Sequence, residues 1–415
     1  MRLIINQIIK IPDVIWKWLY FVTILIIALI EANGRSDFDI YQLASKDVFN
    51  HINPYSHSYI DGYYYYYSLL FTYLIYPFTF LPAYWSTFLW LFINGILLYY
   101  IIAEISDFIG TFKYSYQKQL LFFLLLILFN IRTIRENFHS AQITIFILFL
   151  MMYSLKFLHQ NKIILSAVLL ALAINIKLLA LPILVYYLYR GYIKVFFYSV
   201  IFVVILFVLP AFFMDKNFYL DCIQHWWLLI NPDNNKHIID VDERSFHSIT
   251  TLITTLFMKN PPDIYALPIR RYIADLSFEQ IKWIIQIIRL ILMFSVLIII
   301  RDWPFKKVNN SFQLFFEWSY VISLIPLIFP HQQHYAFLLQ MPAIAILIFY
   351  LIYYQTSISF KIILAIIFLC FNLKIILGVW NDYYEHFKIL TYGGLLVILM
   401  LQLLRFRINQ NNFSQ

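Results

Sequence analysis

Long apolar runs follow one another along nearly the whole chain, and short polar stretches separate them. An α-helix needs roughly 20 apolar residues to cross a bilayer, so each run predicts a crossing. The sequence therefore predicts an all-α membrane protein of about twelve crossings, folded as one polytopic domain over residues 1–415. The predicted crossings are 18–33, 84–104, 119–134, 141–157, 162–176, 177–190, 195–213, 283–300, 311–329, 335–354, 360–378 and 388–404.

Composition agrees with this pattern and excludes several classes of protein. Hydrophobic residues make up 62% of the chain and charged residues 13%, which leaves too little polar surface for a water-soluble globule. The net charge of +8 comes from Lys and Arg scattered between the apolar runs, so we expect a bilayer as partner and no nucleic acid. The two cysteines, Cys222 and Cys370, imply no disulfide framework.

One more apolar segment, 64–81, competes for a place in the membrane. Basic residues concentrate in cytoplasmic loops, and they do so here only if this segment does not cross. The sequence therefore predicts an interfacial helix at 64–81 and two cytoplasmic termini, in a bacterial inner membrane. The basic residues that then face the cytoplasm are Lys113, Lys118, Lys156, Lys162, Arg190, Lys194, Arg301, Lys306, Lys307, Lys361, Arg405 and Arg407.

This topology places two large loops outside the cytoplasm, 34–83 with its interfacial helix and 214–282. Asp37 and Asp39 follow directly on the first apolar run. A carboxylate at the mouth of a membrane helix costs free energy unless it is solvated, paired or used in chemistry. Either carboxylate could therefore serve as a general base, and either could equally be a polar residue at a helix end.

Cationic side chains in the shorter outer loops are candidate phosphate ligands, and each has a plainer explanation. Lys177 could instead extend its ammonium to the membrane surface. Arg132 and Arg135 could bind lipid headgroups. His331 and His334 could be hydrogen-bonded to water at the interface. The candidates besides Lys177 are Arg132, Arg135, His331 and His334.

No cofactor is expected from the sequence. The segment from His237 to Asp242 could hold a divalent ion, but solvated loop charge explains these residues more simply, so we predict no metal site. The chain also has no phosphate-binding glycine loop of the nucleotide-binding types, which argues against nucleotide-sugar use.

Several motifs resemble the integral-membrane GT-C glycosyltransferases, and glycosyltransferase family 87 within them. The opening motif of that family is similar to residues 37–41, and it is followed by an Asn-Pro-Tyr turn at 53–55. The central Lys before a Pro and the late Pro-x-x-x-His are also matched. At 141–142 this chain has Ala-Gln where the family has Gly-Gln. The matching later residues are Lys177, Pro182, Pro330 and His334.

The resemblance implies transfer of a hexose, mannose in that family, from a polyprenyl-phosphate donor to a lipid or glycan acceptor on the outer face. It favours Asp37 as the base of an inverting displacement, with Lys177 and His334 near the donor phosphate. Two other functions remain open from the residues alone. One is a secondary transporter or lipid flippase, and the other is a polysaccharide polymerase or ligase that uses a diphospholipid donor.

Overall fold

The computed structural model describes residues 13–34, 36–231, 239, 241, 245–259, 261, 263 and 266–407. Helices account for most of these residues, and the only β-type pairing among them is an isolated antiparallel bridge between Phe246 and Gln333. The predicted all-α fold is thus confirmed. Several charged positions of the second large loop, and the metal ligands considered there, lie outside the described residues: His237, Asp240, Asp242 and Glu243.

The apolar runs become helices where the sequence predicts them, but not all of these helices are long. Seven helices in the described part of the chain are long and apolar enough to cross a bilayer, or eight if the bent pair at 358–386 forms one span. Three apolar helices, Thr144–His159, Ile163–Ile176 and Leu178–Tyr189, are shorter. The chain therefore has the multi-span character expected, and the count of twelve crossings stays a prediction.

The chain divides into two compact units, each made of separate stretches of sequence. The first contains residues 1–121, 135–178 and 197–230. Its middle consists of apolar helices, and short helices lie between the first two long ones. Its helices are Asp13–Glu31, Asp37–Phe49, Leu69–Ile75, Ala83–Ile109, Thr144–His159, Ile163–Ile176 and Lys216–Ile230, with 3₁₀ turns at Ile60–Gly62, Tyr76–Phe80, Thr111–Lys113 and Leu209–Phe212.

The second unit contains residues 122–134, 179–196 and 231–415. The helices Tyr116–His139 and Ile193–Val208 each contribute residues to both units. The other helices of this unit are Leu181–Tyr189, Ile249–Phe257, Phe278–Phe294, Val296–Ile300, Ser311–Ile328, Met341–Tyr353, Ile358–Asn372, Lys374–Leu377, Asn381–His386 and Ile389–Arg407, with 3₁₀ turns at His334–Gln340 and Gly378–Trp380.

Close helix packing fixes the core of the first unit. A Cβ atom at Gly95 would meet Ile24 Cγ2 at 2.0 Å, so glycine is what lets the first two long helices approach each other. Small residues serve this purpose in membrane proteins, where no hydrophobic force drives one helix against another. The Phe38 ring then stacks on Trp90 with a centroid separation of 5.0 Å. This stack anchors the helix Asp37–Phe49 against Ala83–Ile109.

A buried ion pair lies in the core of the second unit. Arg190 and Glu317 are both almost fully buried, and the guanidinium donates through Nε and Nη2 to the two carboxylate oxygens. Tyr186 Oη and Gln313 Nε2 also donate to Glu317, at 3.1 and 2.9 Å. A buried charge persists only when it is paired and hydrogen-bonded. The helix Ser311–Ile328 can therefore carry an acid in an otherwise apolar face.

The helix within the segment 64–81 is short. Its apolar helical part, Leu69–Phe80, has twelve residues, fewer than the roughly 20 needed to cross. The segment breaks at Tyr76, where the α-helix gives way to a 3₁₀ turn with Pro77 near its start. This length suits a helix that lies at the interface, as the charge pattern predicts.

Labelling with an impermeant thiol reagent tests this topology. Ser58→Cys and Ala83→Cys should react only from the extracytoplasmic side, and Lys113→Cys should react only from the cytoplasm. All three positions have exposed side chains, so poor access would not mimic protection. Protein with only Cys222 and Cys370 gives the background. Labelling of position 83 from the cytoplasm alone would show that 64–81 crosses.

Candidate functional site

Asp37 is the first residue of the helix Asp37–Phe49. Its backbone N–H donates to Ser140 O at 3.1 Å, which ties the helix start to the turn after Tyr116–His139. The N-terminus of a helix carries a partial positive charge, so it stabilises a carboxylate at this position. Asp37 is partly exposed, as a group that must meet a substrate has to be.

Asp39 has a structural task at the same helix start. Its Oδ2 accepts a hydrogen bond from Ser36 N at 2.9 Å, and the two residues form a capping box. Such a box satisfies backbone donors that the first helical turn leaves without partners. The two neighbouring carboxylates therefore have different surroundings.

Three buried side chains connect Asp37 to the interior of the first unit. Gln142 Nε2 donates to Asp37 Oδ2. Gln142 Oε1 accepts from Tyr41 Oη at 3.3 Å, and Tyr41 Oη lies 2.9 Å from Tyr67 Oη. Gln142, Tyr41 and Tyr67 are each less than a tenth exposed. This chain of hydrogen bonds holds one oxygen of the Asp37 carboxylate in a defined direction.

Backbone geometry explains how Gln142 reaches the carboxylate. Ala141 has φ +45°, in the left-handed region that favours glycine. Gln142 N donates to Asn137 O at 2.9 Å, and Trp90 Nε1 donates to Ala141 O at 2.9 Å. The Gly-Gln of the resembling family fits this turn, and alanine occupies the glycine position here at some cost in strain.

Lys177 lies at the break between the helix Ile163–Ile176 and the 3₁₀ turn that follows it. Its Nζ is 5.5 Å from the centroid of the Tyr67 ring, within cation–π range. The Lys177 ammonium also interacts electrostatically with the Asp37 carboxylate.

Tyr67 contributes a protonated hydroxyl, which lies 2.9 Å from Tyr41 Oη. Burial raises its pKa, and the negative charge of Asp37 raises it further. The phenol therefore stays neutral and takes part in hydrogen bonds as a donor or an acceptor. Tyr55 Oη donates to Tyr67 O at 2.7 Å, which fixes the backbone at this position.

The remaining site residues predicted from the sequence lie partly in the second unit. Arg132 is 1% exposed and donates to Tyr384 Oη at 2.6 Å and to Glu385 Oε1 at 3.4 Å. His334 is buried at the start of a 3₁₀ turn, and the His331 ring lies 5.2 Å from the Phe246 ring. These three residues therefore belong to one unit and the Asp37 group to the other.

Arg135 is one helical turn beyond Arg132, and its side chain is exposed in the first unit. The two arginines of this segment thus have opposite surroundings, buried for Arg132 and solvated for Arg135. The sequence gives no means of telling them apart.

The turn that contains His331 and His334 is held by a buried polar cluster, which the sequence does not reveal. His247 N donates to Gln332 O at 2.8 Å, and His247 Nε2 is 2.7 Å from Glu385 Oε2. Lys374 Nζ is 2.7 Å from the other oxygen of the same carboxylate. Burial lowers the pKa of His247 to about 3 despite the opposing effect of Glu385, so the imidazole is neutral and donates its Nε2 proton.

One of the three polar residues around Asp37 could have been found in the sequence. Tyr41 is four residues after Asp37, so both lie on one face of the helix. Gln142 belongs to the Ala-Gln pair at 141–142, although the pair alone does not indicate its partner. Among the described residues no group of three His, Cys, Asp or Glu side chains could hold a metal ion.

Comparison with known proteins gives one match. No curated protein matches the chain. The sequence model of glycosyltransferase family 87 matches residues 65–301, which is more than half of the chain. The matched region includes Tyr67, Gln142 and Lys177, begins after Asp37 and ends before His331. The protein therefore belongs to glycosyltransferase family 87 and is a multi-pass membrane glycosyltransferase.

Proposed function

We propose that this glycosyltransferase transfers mannose from a polyprenyl-phosphate donor to a lipid or glycan acceptor on the extracytoplasmic face. Asp37 is the general base, and the displacement inverts the configuration of the sugar. The proposal rests most directly on one observation, the Asp37 carboxylate that Gln142 holds and that interacts electrostatically with Lys177.

The chemistry requires one base and no general acid. The acceptor hydroxyl oxygen attacks the anomeric carbon, and its proton passes to the Asp37 carboxylate. The bond between the anomeric carbon and the phosphate oxygen breaks, and the leaving lipid phosphate takes the electron pair. Because this phosphate is already ionised, it leaves without a proton. What it needs is a nearby cation as negative charge grows on the departing oxygen.

Lys177 is suited to that second task. Its ammonium lies near Asp37 and is partly removed from water, where an electrostatic contact is stronger than in bulk solvent. The Tyr67 ring lies next to Lys177, and the Tyr67 hydroxyl contacts Tyr41. Asp39 is the weaker candidate for the base, because its carboxylate caps the helix.

We assign different roles to the other predicted phosphate ligands. We propose His331 and His334 as further donor contacts, since both lie on one turn that His247 and Phe246 hold in place. Arg135 is exposed and can contact the donor phosphate or lipid headgroups. Arg132 would have to leave Glu385 and Tyr384 to bind phosphate, so we assign it a structural role first.

A transfer assay with defined donors tests this function. Protein purified into lipid nanodiscs should transfer labelled mannose from polyprenyl-phosphate mannose to at least one acceptor in a panel of glycolipids and glycans. Polyprenyl-phosphate glucose tests the choice of sugar. A nucleotide-mannose and a diphospholipid-linked sugar should give no product. Product from either of these, with none from the monophosphate donor, would contradict the proposal.

A further inference from the structure

Residues 301–307 form an exposed loop in the second unit, which we call the basic loop. It follows the apolar helix pair that ends at Ile300 and precedes the long apolar helix Ser311–Ile328. Its two aromatic side chains are among the most exposed in the described residues, at 87% for Trp303 and 62% for Phe305. Three exposed basic residues flank these aromatics in sequence, Arg301, Lys306 and Lys307.

The buried Arg190 holds the loop through hydrogen bonds on its inner side. Its Nη1 donates to Asp302 Oδ2 at 2.9 Å and to Lys306 O at 3.1 Å, while Glu317 holds the rest of the guanidinium. Phe305 N also donates to Tyr189 O at 2.6 Å. One pre-organised arginine thus fixes the loop at both ends, because its planar fork satisfies several acceptors at once.

Backbone strain and close packing show that the loop conformation is imposed. Arg301 and Phe305 have φ +55° and +66°, which residues with a Cβ rarely adopt. A Cβ at Gly191 would come within 2.4 Å of Phe305 O, so only glycine permits this approach. Such strain persists where the surrounding structure determines the conformation. The two aromatic rings therefore point outward from a fixed framework.

The charges of the loop leave an excess of positive charge at its surface. Burial raises the pKa of the Asp302 carboxyl, but hydrogen bonds from Lys306 and Arg190 lower it below its ordinary value. The ionised Asp302 pairs with Arg190 and lies 2.7 Å from Lys306 Nζ. Arg301 lies over the Phe406 ring at 4.3 Å. Arg301 also donates through Nε to Ile298 O at 3.1 Å, and both Arg301 and Lys307 remain exposed.

We propose that the basic loop is a preformed binding site for the headgroups of anionic phospholipids in the leaflet where it lies. Because membrane-spanning helices precede and follow it, the loop must lie at the surface of the bilayer. Aromatic rings prefer the headgroup region, and basic side chains attract anionic lipids. Trp303 and Phe305 enter the boundary between headgroups and acyl chains, and the three cations bind the phosphates. This site is independent of the proposed transfer reaction.

Lipid binding by matched charge variants tests the site. The loop variant Arg301→Gln/Lys306→Gln/Lys307→Gln is compared with Lys113→Gln/Lys118→Gln/Lys361→Gln, which removes three exposed basic residues near the ends of other helices. Purified full-length protein in neutral detergent is titrated with phosphatidylglycerol and with phosphatidylcholine, and bound lipid is counted by native mass spectrometry. Wild type should bind phosphatidylglycerol more tightly. The loop variant should lose about 30-fold to 100-fold in that affinity, with phosphatidylcholine unchanged, and the control should lose much less.

A milder variant keeps the test informative if the triple variant folds poorly. Lys307→Gln removes one exposed charge and should lower phosphatidylglycerol affinity about threefold to fivefold. Equal wild-type affinity for the two lipids would overturn the proposal. So would a loss in the control variant as large as that in the loop variant, because the attraction would then belong to net charge and not to this loop.

Discussion

Replacing Asp37 with asparagine is expected to lower the turnover of sugar transfer by roughly 10² to 10⁴. Asparagine keeps the size of the side chain and can still accept the hydrogen bond from Gln142 Nε2, but it cannot take up the acceptor proton. The fall should appear in kcat under saturating donor and acceptor. Donor affinity, measured by direct binding, should change little, since the leaving phosphate is held by other residues.

Asp39→Asn is the matched control for this prediction. Its carboxylate accepts the cap hydrogen bond from Ser36 N, and asparagine is itself a good acceptor near a helix start. We expect a small loss of thermal stability and a much smaller loss of turnover. Full activity of Asp37→Asn together with an inactive Asp39→Asn would move the base to Asp39. Full activity of both would place the base elsewhere, with 240–243 as the next segment to test.

Removing the charge of Lys177 should have the second-largest effect. Lys177→Met keeps the apolar stem but leaves the departing phosphate without its cation, so kcat should fall by about 10² to 10³, as when an oxyanion donor is lost. Lys177→Arg retains the charge and should recover part of the activity. Lys113→Met, at an exposed position elsewhere in the first unit, serves as the control for charge loss alone. Wild-type behaviour of Lys177→Met would remove this residue from the mechanism.

The helices were predictable because their signal is local. An apolar run between polar stretches specifies a helix in a membrane protein without reference to the rest of the chain. The number of crossings is less local, since it depends on where each helix ends. The helix Ile163–Ile176 ends at Lys177, because the extended backbone of this residue interrupts the apolar run. Hydropathy alone does not show whether two adjacent apolar runs form one helix or two.

The candidate site was predictable only in part. The sequence indicates the two carboxylates and Lys177, because charged residues stand out among apolar ones. It does not show that Gln142 contacts Asp37, since 105 residues separate them. Nor does it show that Arg132 pairs with Glu385, 253 residues later. Contacts of this kind arise from the packing of distant helices, which no local pattern encodes.

The capping role of Asp39 is an intermediate case. The motif Ser-Asp-Phe-Asp at 36–39 has the spacing of a capping box, with an acid three residues after serine. This spacing is a local signal, and it is enough to distinguish the two acids from each other. What it does not supply is the turn at Ala141 that directs Gln142 toward the remaining acid.

The stereochemistry of a single turnover tests the proposed displacement most directly. Wild-type protein in nanodiscs is mixed with a stoichiometric amount of polyprenyl-phosphate mannose of known anomeric configuration and an excess of acceptor. The product is then analysed by NMR. Direct attack by an acceptor that Asp37 activates predicts a mannoside of the opposite configuration and no sugar bound covalently to the protein. A product that keeps the configuration of the donor, or a trapped glycosyl-enzyme, would contradict this mechanism.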